Sequence, residues 1–296
     1  MRNMSNILRS KIKVALVQML GSTPDKMANL AHAATMVEKA MTDQPETKLL
    51  VLPECFAAPY ATDKFREYAE VVTLEGVGSP SVRMLSYLAR KWKVTLVGGS
   101  IPELDPQTSK VYNSSLVFGP QGDLIAKHRK IHLFDIDIPA GITFTESDTL
   151  SAGDKLTEVK MDEGTFGVGI CYDIRFPEVS TISARRGAFA MVYPAAFNTF
   201  TGPMHWHLLA RSRSIDNEIY TIFCSPARDL NSNYHAYGHS LVVNPRGEVI
   251  AEAGEGEEII YAELDPELIT LVRRAIPVTI QRRFDVYPDV SNLPPK

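Results

Sequence analysis

The sequence is poor in cysteine and has no strong excess of one charge. It contains three cysteines in 296 residues, Cys55, Cys171 and Cys224, and none of them has the paired spacing of a metal-binding motif. An odd and sparse set argues against a disulfide framework and favours a reducing compartment. The formal net charge is -4, which excludes a strongly basic nucleic-acid-binding surface.

Long hydrophobic runs are absent as well. No apolar stretch has the ~20 residues that a membrane-spanning helix needs. The first residues, MRNMSNILRSKIK, are basic and free of acids, but they lack the apolar core of a secretory signal. We therefore expect a short arm at 1–11 and a cytoplasmic protein, with a mitochondrial pool as the minor alternative. We expect neither nucleic-acid nor membrane partners.

What the sequence does contain is short apolar runs that alternate with helical patterns. Such alternation predicts an α/β protein in which helices cover the sheets. The runs predicted to be strands are 13–20, 48–54, 94–101, 166–173, 188–197 and 219–227. The stretches predicted to be helices are near 24–41, 80–92, 177–186 and 205–217.

Two segments read as similar hairpins. SLVFGPQGDLIAK, starting at 115, and SLVVNPRGEVIAE, starting at 240, share Ser, Leu, Val, Pro, Gly, Ile and Ala at matching places. LVLPECF and MVYPAAF also correspond, and the units follow in the same order. We infer two pseudo-equivalent halves that each contribute one sheet, and hence a four-layer α-β-β-α sandwich. It forms a single domain at 12–288 with a tail at 289–296.

Two chemically active side chains lie at the carboxyl ends of predicted strands. Cys171 ends the apolar run in GVGICYDIRFPE, and Glu54 ends LVLPE. Ligands of α/β sheets gather at the carboxyl ends of strands, so both residues are candidates for one pocket. The alternatives are that Cys171 is an inert buried hydrophobe and that Glu54 is a helix N-terminal acid or a surface strand end.

Lys130 in KHRKIHLF is the third candidate. A buried ammonium beside a carboxylate and a thiol would be paired and would stabilise negative charge. The alternative is a solvent-facing lysine among Lys127 and Arg129. A cysteine nucleophile needs a base and oxyanion donors, and a partly buried carboxylate can act as that base.

LVLPECF, KHRKIHLF and GVGICYDIRFPE, in this order, resemble the three catalytic motifs of the nitrilase superfamily of carbon–nitrogen hydrolases. The resemblance runs over nearly the whole chain. It implies an α-β-β-α sandwich, a Glu-Lys-Cys triad of Glu54, Lys130 and Cys171, and homodimers. No metal or organic cofactor is implied. A second family glutamate matches Glu146 in GITFTESDTL.

YDIRFPE, YPAAFNTFTGPMHWHLLARSRSIDN and NYHAYGHS resemble the omega-amidase branch, in particular its fungal enzymes. That branch hydrolyses the terminal amide of 2-oxo dicarboxylic acid monoamides such as 2-oxoglutaramate and 2-oxosuccinamate through a thioester. The main alternative is an amidase acting on deaminated glutathione. The motifs are also compatible with a nitrilase, a carbamoylase or another amidase with the same triad, and with a non-catalytic binding or scaffold protein.

The resemblance implies a role for each residue. Glu54 takes the thiol proton, and Cys171 attacks the amide carbonyl. Lys130 and the backbone N–H of Tyr172 hold the oxyanion, and Glu146 orients Lys130 and the attacking water.

Arg175 is the candidate for substrate specificity. It lies four positions after Cys171, where a turn can fold it over the pocket, and a guanidinium binds a carboxylate bidentately. The alternative is a structural arginine paired with Asp173 or Glu178. Phe197 and Tyr60 follow strand ends and are candidate pocket walls, with core packing as the alternative. Cys55 is expected to be inert because strand alternation turns it away from Glu54. Cys224 is expected to be inert because it ends a predicted strand and belongs to no motif.

Overall fold

The computed structural model describes residues 7–20, 23–73, 79–139, 143–289 and 291. Its strands are β1 Ile12–Gln18, β2 Thr47–Val51, β3 Thr95–Val97, β4 Ile101–Leu104, β5 Val111–Phe118, β6 Leu124–Arg129, β7 Asp135–Asp137, β8 Thr143–Thr145, β9 Thr157–Met161, β10 Gly164–Val168, β11 Ala188–Pro194, β12 Tyr220–Cys224, β13 Leu241–Val243, β14 Val249–Glu252 and β15 Glu258–Leu264.

The helices occupy most of the stretches in which the sequence has helical periodicity. They are α1 Lys26–Asp43, α2 Phe65–Tyr68, α3 Pro80–Trp92, α4 Pro177–Arg185, α5 Gly202–Asn217, α6 Pro266–Ala275 and α7 Val278–Gln281. Proline stands in the first turn of α3, α4, α5 and α6, where its missing N–H costs no hydrogen bond. Pro203 explains why α5 begins earlier than the predicted 205.

Two sheets carry the fold. The first has the order β15-β1-β2-β3-β5-β4, with β6 paired to β5, and the second has the order β14-β13-β12-β11-β10-β9. In each sheet three neighbouring strands are parallel, β1-β2-β3 and β10-β11-β12, and the flanking strands are antiparallel. The predicted equivalence of the two halves is therefore visible in the strand order.

One part of that prediction is wrong. The halves do not each build a sheet alone, because β15 near the end of the chain pairs with β1 along its whole length. Strand β9 takes the equivalent place beside β10. The search for apolar runs did not predict β9 or β15, because both are edge strands in which polar, partly exposed residues alternate with buried ones.

Four layers follow from three apolar interfaces. Between the sheets lie aliphatic side chains from both, such as Val14, Val51, Val192 and Ile222. On the outer face of the first sheet α1 and α3 pack through residues such as Val37 and Leu85. The outer face of the second sheet is covered by α4 and α5. The predicted α-β-β-α sandwich is confirmed, and each such buried aliphatic side chain contributes about 1.5–3 kcal/mol.

Two predicted strands are shorter than their apolar runs. The run at 166–173 leaves the sheet after Val168, and Cys171–Arg175 forms a 3-10 turn. The run at 94–101 splits into β3 and β4 around Gly99, whose φ of 54° lies in the left-handed region. Cys171 has a φ of 44° as well, so neither segment can continue as extended strand.

The terminal segments are described only in part. In the predicted arm, Leu8 forms a bridge with Gly164 and the N–H of Arg9 donates to the carbonyl of Glu163. Residues 1–6 of the arm, and all of the predicted tail except Asp289 and Ser291, lie outside the described residues. Within the described part of the chain no helix combines the length and the apolar character needed to cross a membrane.

Candidate active site

The segments that follow β2, β6, β10 and β11 meet at one place. They carry Glu54, Lys130, Cys171 and Ala196, respectively. Because β1-β2-β3 and β10-β11-β12 are parallel, their carboxyl ends lie together at one edge of each sheet. The structure thus brings together the three side chains of the predicted triad.

The Glu54 carboxylate is fully buried and surrounded by donors. Its Oε1 accepts hydrogen bonds from Nδ2 of Asn113 at 2.9 Å and from Nζ of Lys130 at 3.3 Å. Its Oε2 accepts from the backbone N–H of Ala196 at 2.8 Å. Burial raises the pKa of Glu54, while the nearby charge of Lys130 and a hydrogen bond from Cys171 oppose that rise.

Lys130 lies between two carboxylates. Its Nζ is 2.9 Å from Oε1 of Glu146 and 3.3 Å from Oε1 of Glu54, and all three side chains are inaccessible to solvent. Burial alone would lower the pKa of Lys130, but the charges of Glu146 and Glu54 outweigh it and hold that pKa well above its ordinary value. The ammonium therefore stays protonated, and the solvent-facing alternative is excluded.

Glu146 is held in the orientation that this ion pair requires. Its Oε1 also accepts a hydrogen bond from the Tyr60 hydroxyl at 2.8 Å, and its Oε2 accepts from the backbone N–H of Phe134 at 2.8 Å. Glu146 begins a short 3-10 turn just after β8. Every oxygen of this buried carboxylate thus has a donor, as a buried charge requires.

Cys171 is a thiol at rest. It is 4% exposed, and burial together with the charge of Glu54 raises its pKa well above the ordinary value, despite the opposing charge of Lys130. A neutral thiol is a weak nucleophile, so attack needs a base within reach. Glu54, which accepts a hydrogen bond from this thiol, is in the right place for it.

A cavity of ≈ 470 Å³ reaches Glu54, whereas Lys130, Cys171, Arg175 and Phe197 are not among the described residues that line it. Glu54, Tyr60, Ala196 and Tyr234 lie in its wall. The Tyr60 ring stacks on Phe144 with centroids 5.6 Å apart. Tyr60 thus lies in the wall of this cavity, and its hydroxyl also donates to Glu146.

Arg175 lies beside the thiol without a carboxylate partner among the described residues. Its Nη1 donates to Nδ1 of His205 at 3.2 Å, and its guanidinium lies 4.9 Å from the Phe197 ring and 5.6 Å from the Tyr172 ring. Its Nε is buried and has no partner within the described part of the chain. Burial lowers the pKa of Arg175, and the negative charge of a Cys171 thiolate would raise it.

The structure does not pair Arg175 with Asp173 or Glu178, which was the structural alternative for this arginine. Asp173 bonds to His128 and His132 instead, and no ion pair joins Arg175 to Glu178 among the described residues. Phe197 is buried, and its ring packs on Trp206 at 5.1 Å. Phe197 supports the guanidinium from one side and belongs to the core on the other.

The other two cysteines are buried, and each lies in its own environment. Cys224 donates to the carbonyls of Val17 and Val51 between the two sheets. Cys55 is close to Ser100, with a φ of 50°. Strand alternation is the wrong reason for its separation from Glu54, because β2 ends at Val51 and a turn orients both residues.

Sequence reasoning missed several residues of this site. Asn113 could have been found from the register of the predicted hairpin, which places it opposite Lys130. Its carbonyl accepts a hydrogen bond from the N–H of Lys130 across the β5–β6 pair. Tyr234 and His205 lie on distant segments, within the stretches NYHAYGHS and YPAAFNTFTGPMHWHLLARSRSIDN that carry the branch resemblance, but the sequence alone assigns neither of them a role. Among the described residues no group of three or more His, Cys, Asp and Glu side chains is arranged to hold a metal.

Comparison with known proteins agrees with this geometry. The family model for carbon-nitrogen hydrolases matches residues 13–274. Omega-amidase NIT3 of Saccharomyces cerevisiae is 66% identical over 287 residues, which cover 97% of this chain and 98% of that protein. Omega-amidase NIT2 of Homo sapiens is 47% identical over 278 residues, covering 94% of this chain and 97% of that protein.

Solved structures show the same architecture. The crystal structure of Saccharomyces cerevisiae Nit3, described as a member of branch 10 of the nitrilase superfamily, matches with a TM-score of 0.88 and 62% identity. It covers 94% of this chain and 98% of that chain. The C. elegans NitFhit protein matches with a TM-score of 0.83 and 30% identity, covering 95% of this chain and 67% of that chain.

Proposed function

The chain belongs to the carbon–nitrogen hydrolase family and is an amidase, and on that basis we propose that it is an omega-amidase. The substrates proposed are 2-oxo dicarboxylic acid monoamides such as 2-oxoglutaramate and 2-oxosuccinamate. The observation that carries the proposal is the 66% identity to a yeast omega-amidase over nearly the full length of both chains. The environment of Arg175 supports it independently.

The first half-reaction is acyl transfer to the thiol. Glu54 accepts the proton of Cys171 as the sulfur attacks the carbonyl carbon of the amide. The carbonyl oxygen becomes an oxyanion, which Lys130 and the backbone N–H of Tyr172 stabilise. As the C–N bond breaks, Glu54 returns the proton to the nitrogen, and ammonia leaves behind a thioester on Cys171.

The second half-reaction hydrolyses that thioester. Glu54 removes a proton from water, and the oxygen attacks the thioester carbonyl. The C–S bond breaks, the 2-oxo dicarboxylic acid leaves, and the sulfur recovers its proton from Glu54. Glu146 keeps Lys130 charged and oriented in both halves, which their contact at 2.9 Å supports. No cofactor takes part in this proposal.

Arg175 is proposed to bind the substrate carboxylate at the end opposite the scissile amide. The guanidinium of Arg175 is partly buried between two aromatic rings and has no carboxylate partner among the described residues. It is therefore available to bind the carboxylate of a substrate. His205 accepts one N–H, so its neutral imidazole orients the guanidinium without neutralising it. Burial and the charge of Arg175 lower the pKa of His205, which favours that neutral form.

Comparing two substrates tests this assignment. Arg175→Met should lower kcat/KM for 2-oxoglutaramate, mainly by raising KM, because the substrate carboxylate loses its buried charge partner. The expected fall corresponds to a loss of roughly 2–5 kcal/mol of transition-state stabilisation. A simple amide without a distal carboxylate should be nearly unaffected. Arg175→Lys should also be impaired, since an ammonium cannot reproduce the two-pronged contact. A parallel fall for both substrates, together with a lowered Tm, would refute the carboxylate contact.

A substrate panel separates the proposed activity from its competitors. Ammonia release is measured with 2-oxoglutaramate, a nitrile and an N-carbamoyl amino acid, and release of the dipeptide is measured with deaminated glutathione. We expect 2-oxoglutaramate to be the best substrate. A higher kcat/KM for deaminated glutathione would replace the proposed activity with its main alternative, and mass spectrometry of Cys171 would detect the thioester in either case.

The proposal also includes a homodimer in the cytoplasm. All three cysteines are free and buried, which supports a reducing compartment. Exposed apolar side chains on α6 and the segment that follows it, such as Leu271 and Ile276, support a contact between subunits.

A further inference from the structure

A second group of buried polar residues lies beside the nucleophile and has no part in the proposed reaction. Asp173 is fully buried, and its Oδ1 accepts hydrogen bonds from the backbone N–H of His132 at 2.9 Å and from Nδ1 of the same residue at 2.8 Å. Its Oδ2 accepts from the backbone N–H of Ile170 at 2.9 Å and from Nε2 of His128 at 3.1 Å. We call these four residues the Asp173 clasp.

The clasp joins the two segments that carry the thiol and the ammonium. His128 and His132 lie two residues before and two residues after Lys130. Ile170 lies one residue before Cys171, and Asp173 lies two residues after it. One carboxylate therefore fixes the separation of these segments, although neither of its oxygens is assigned a contact with the substrate.

Cys171 needs such a restraint. Its φ of 44° lies in the left-handed region, which residues with a side chain rarely occupy and which persists only where surrounding contacts enforce it. The hydrogen bond from the N–H of Ile170 to Asp173 closes the turn around the cysteine. The bonds to His128 and His132 anchor that turn to the lysine segment.

The carboxylate of the clasp is charged at neutral pH. Burial alone would raise the pKa of Asp173, but the hydrogen bonds from His128 and His132 outweigh burial and lower it. His128 is fully buried as well, and both of its ring nitrogens have a polar partner, Nε2 at 3.1 Å from Oδ2 of Asp173 and Nδ1 at 3.1 Å from the hydroxyl of Thr157. The clasp thus has no orphaned polar group among the atoms that form it.

We propose that Asp173, His128 and His132 are positioning residues of the amidase reaction, which hold the Cys171 thiol in line with Lys130 and Glu54. This inference rests on the proposed function only in taking Cys171 as the nucleophile. Misplacing a reacting group by a fraction of an ångström mainly lowers kcat, because substrate contacts elsewhere are kept.

His132 allows the hydrogen bond to be tested apart from packing. Its ring stacks on Phe176 with centroids 3.6 Å apart and an angle of 9°. His132→Phe keeps a ring for that stack and removes the Nδ1 donor, whereas His132→Asn keeps a donor and removes the ring. We expect kcat to fall about tenfold in His132→Phe with KM within about twofold, and to stay within about threefold of the native value in His132→Asn.

Glu70 supplies a control for a merely structural loss. It is a buried carboxylate that accepts from the backbone N–H and the hydroxyl of Ser81 and pairs with Lys26 at 3.1 Å, at the start of α3. Glu70→Gln should lower Tm and leave kcat unchanged. Asp173→Asn should lower both, and if it does not fold, the His132 pair still decides the question.

Alkylation of Cys171 by iodoacetamide gives a readout without any substrate. The rate, measured by peptide mass spectrometry, should fall in His132→Phe by about the same factor as kcat and be largely restored in His132→Asn. A native alkylation rate and kcat in His132→Phe, or equal losses in both His132 variants, would overturn the inference. Turnover that survives Cys171→Ala would instead overturn the proposed function.

Discussion

At the residue scale, the unusual feature is a cation buried between two anions. Removing one partner of such a cluster leaves an uncompensated charge and costs about 3–5 kcal/mol, whereas an apolar replacement of the whole set is often neutral. Stability alone does not explain why Lys130, Glu54 and Glu146 are charged and fully buried together. A reaction that develops an oxyanion beside them does explain it.

The nucleophile assignment predicts a selective effect of one cysteine. Cys171→Ala should abolish ammonia release while changing the free energy of unfolding by no more than about 1–2 kcal/mol, since only a sulfur is removed. Cys55→Ala and Cys224→Ala, which remove equally buried thiols, should retain activity. Activity in Cys171→Ala together with inactivity in Cys55→Ala would refute the assignment, with urea unfolding as the check on folding.

Asn113 is predicted to set the pH at which the base works. Because Glu54 must be ionised to accept a proton and its pKa is raised by burial, kcat/KM should fall on the acid side at a higher pH than an ordinary glutamate would give. The Asn113 amide stabilises the ionised form, so Asn113→Leu should raise the pKa of Glu54 again and move the acid limb upward by about one pH unit.

The neighbouring Ser115 provides the matched control for that pH profile. Its buried hydroxyl has no partner among the described residues, and it lies on the same strand β5. Ser115→Ala should leave the acid limb where it is in the native protein. An unmoved acid limb in Asn113→Leu, with only a loss of stability, would mean that the amide does not tune the base.

At the scale of elements, the site is built by turns rather than by strands. Both β2 and β10 end three residues before the side chain that matters, at Val51 and Val168. Each is followed by a cysteine with positive φ, 50° at Cys55 and 44° at Cys171. Left-handed residues turn the chain sharply, so the side chains leave the sheet edge and converge.

Close packing of the β3 end against the Glu54 turn yields a prediction. A Cβ on Gly99 would lie 2.0 Å from the carbonyl oxygen of Pro53, so Gly99→Ala must displace the turn that carries Glu54. We expect a loss of kcat of at least about tenfold and a lower Tm. Gly187 offers a matched control: it also has a positive φ, 97°, but a Cβ at that position would meet no atom within 4 Å.

Gly187→Ala therefore isolates the cost of backbone conformation, about 1–2 kcal/mol, from the clash. It should lower Tm and keep kcat. Equal kcat in the two variants, measured at a temperature where both are folded, would show that the Glu54 turn does not depend on the end of β3.

At the scale of the whole molecule, the site lies where the two halves meet. The first sheet and its turns supply Glu54 and Lys130, and the second supplies Cys171 and Ala196. Neither half holds a complete set, so the apolar layer between the sheets has to form before the chemistry is possible. Its aliphatic side chains thereby support function through the relative position of the sheets.

The proposed homodimer makes a prediction at the same scale. A groove of ≈ 310 Å³ between α5 and α6 is lined by Ile215, Leu271 and Ile276, of which Ile276 is 67% exposed. Exposed apolar surface of this kind marks interaction sites. Ile276→Asp should convert a dimer of 32.8 kDa subunits to monomers in analytical ultracentrifugation. Met27→Asp, which changes an exposed apolar side chain on α1, should leave the dimer intact. A native monomer would refute the dimer.

The sequence by itself determined the layers and the matching order of the repeated units in the two halves, and its three motifs indicated, through their resemblance to a known family, which segments converge. The layers and the order of the units depend on local periodicity and turn residues, which a single chain displays. Glu54, Lys130 and Cys171 could be given expected roles from that resemblance, because residue type limits what a side chain can do.

Only the tertiary structure decided which groups satisfy that buried charge. The hydrogen bonds of Asn113 and Ala196 to Glu54 and that of His132 to Asp173 join segments at least 41 residues apart. The lack of a carboxylate partner for Arg175 among the described residues is likewise set by how such segments meet. The place of β15 beside β1 depends on a contact across almost the whole chain. Such contacts are selected by the free energy of the assembled core and by the need to pair every buried polar group, and neither quantity is local.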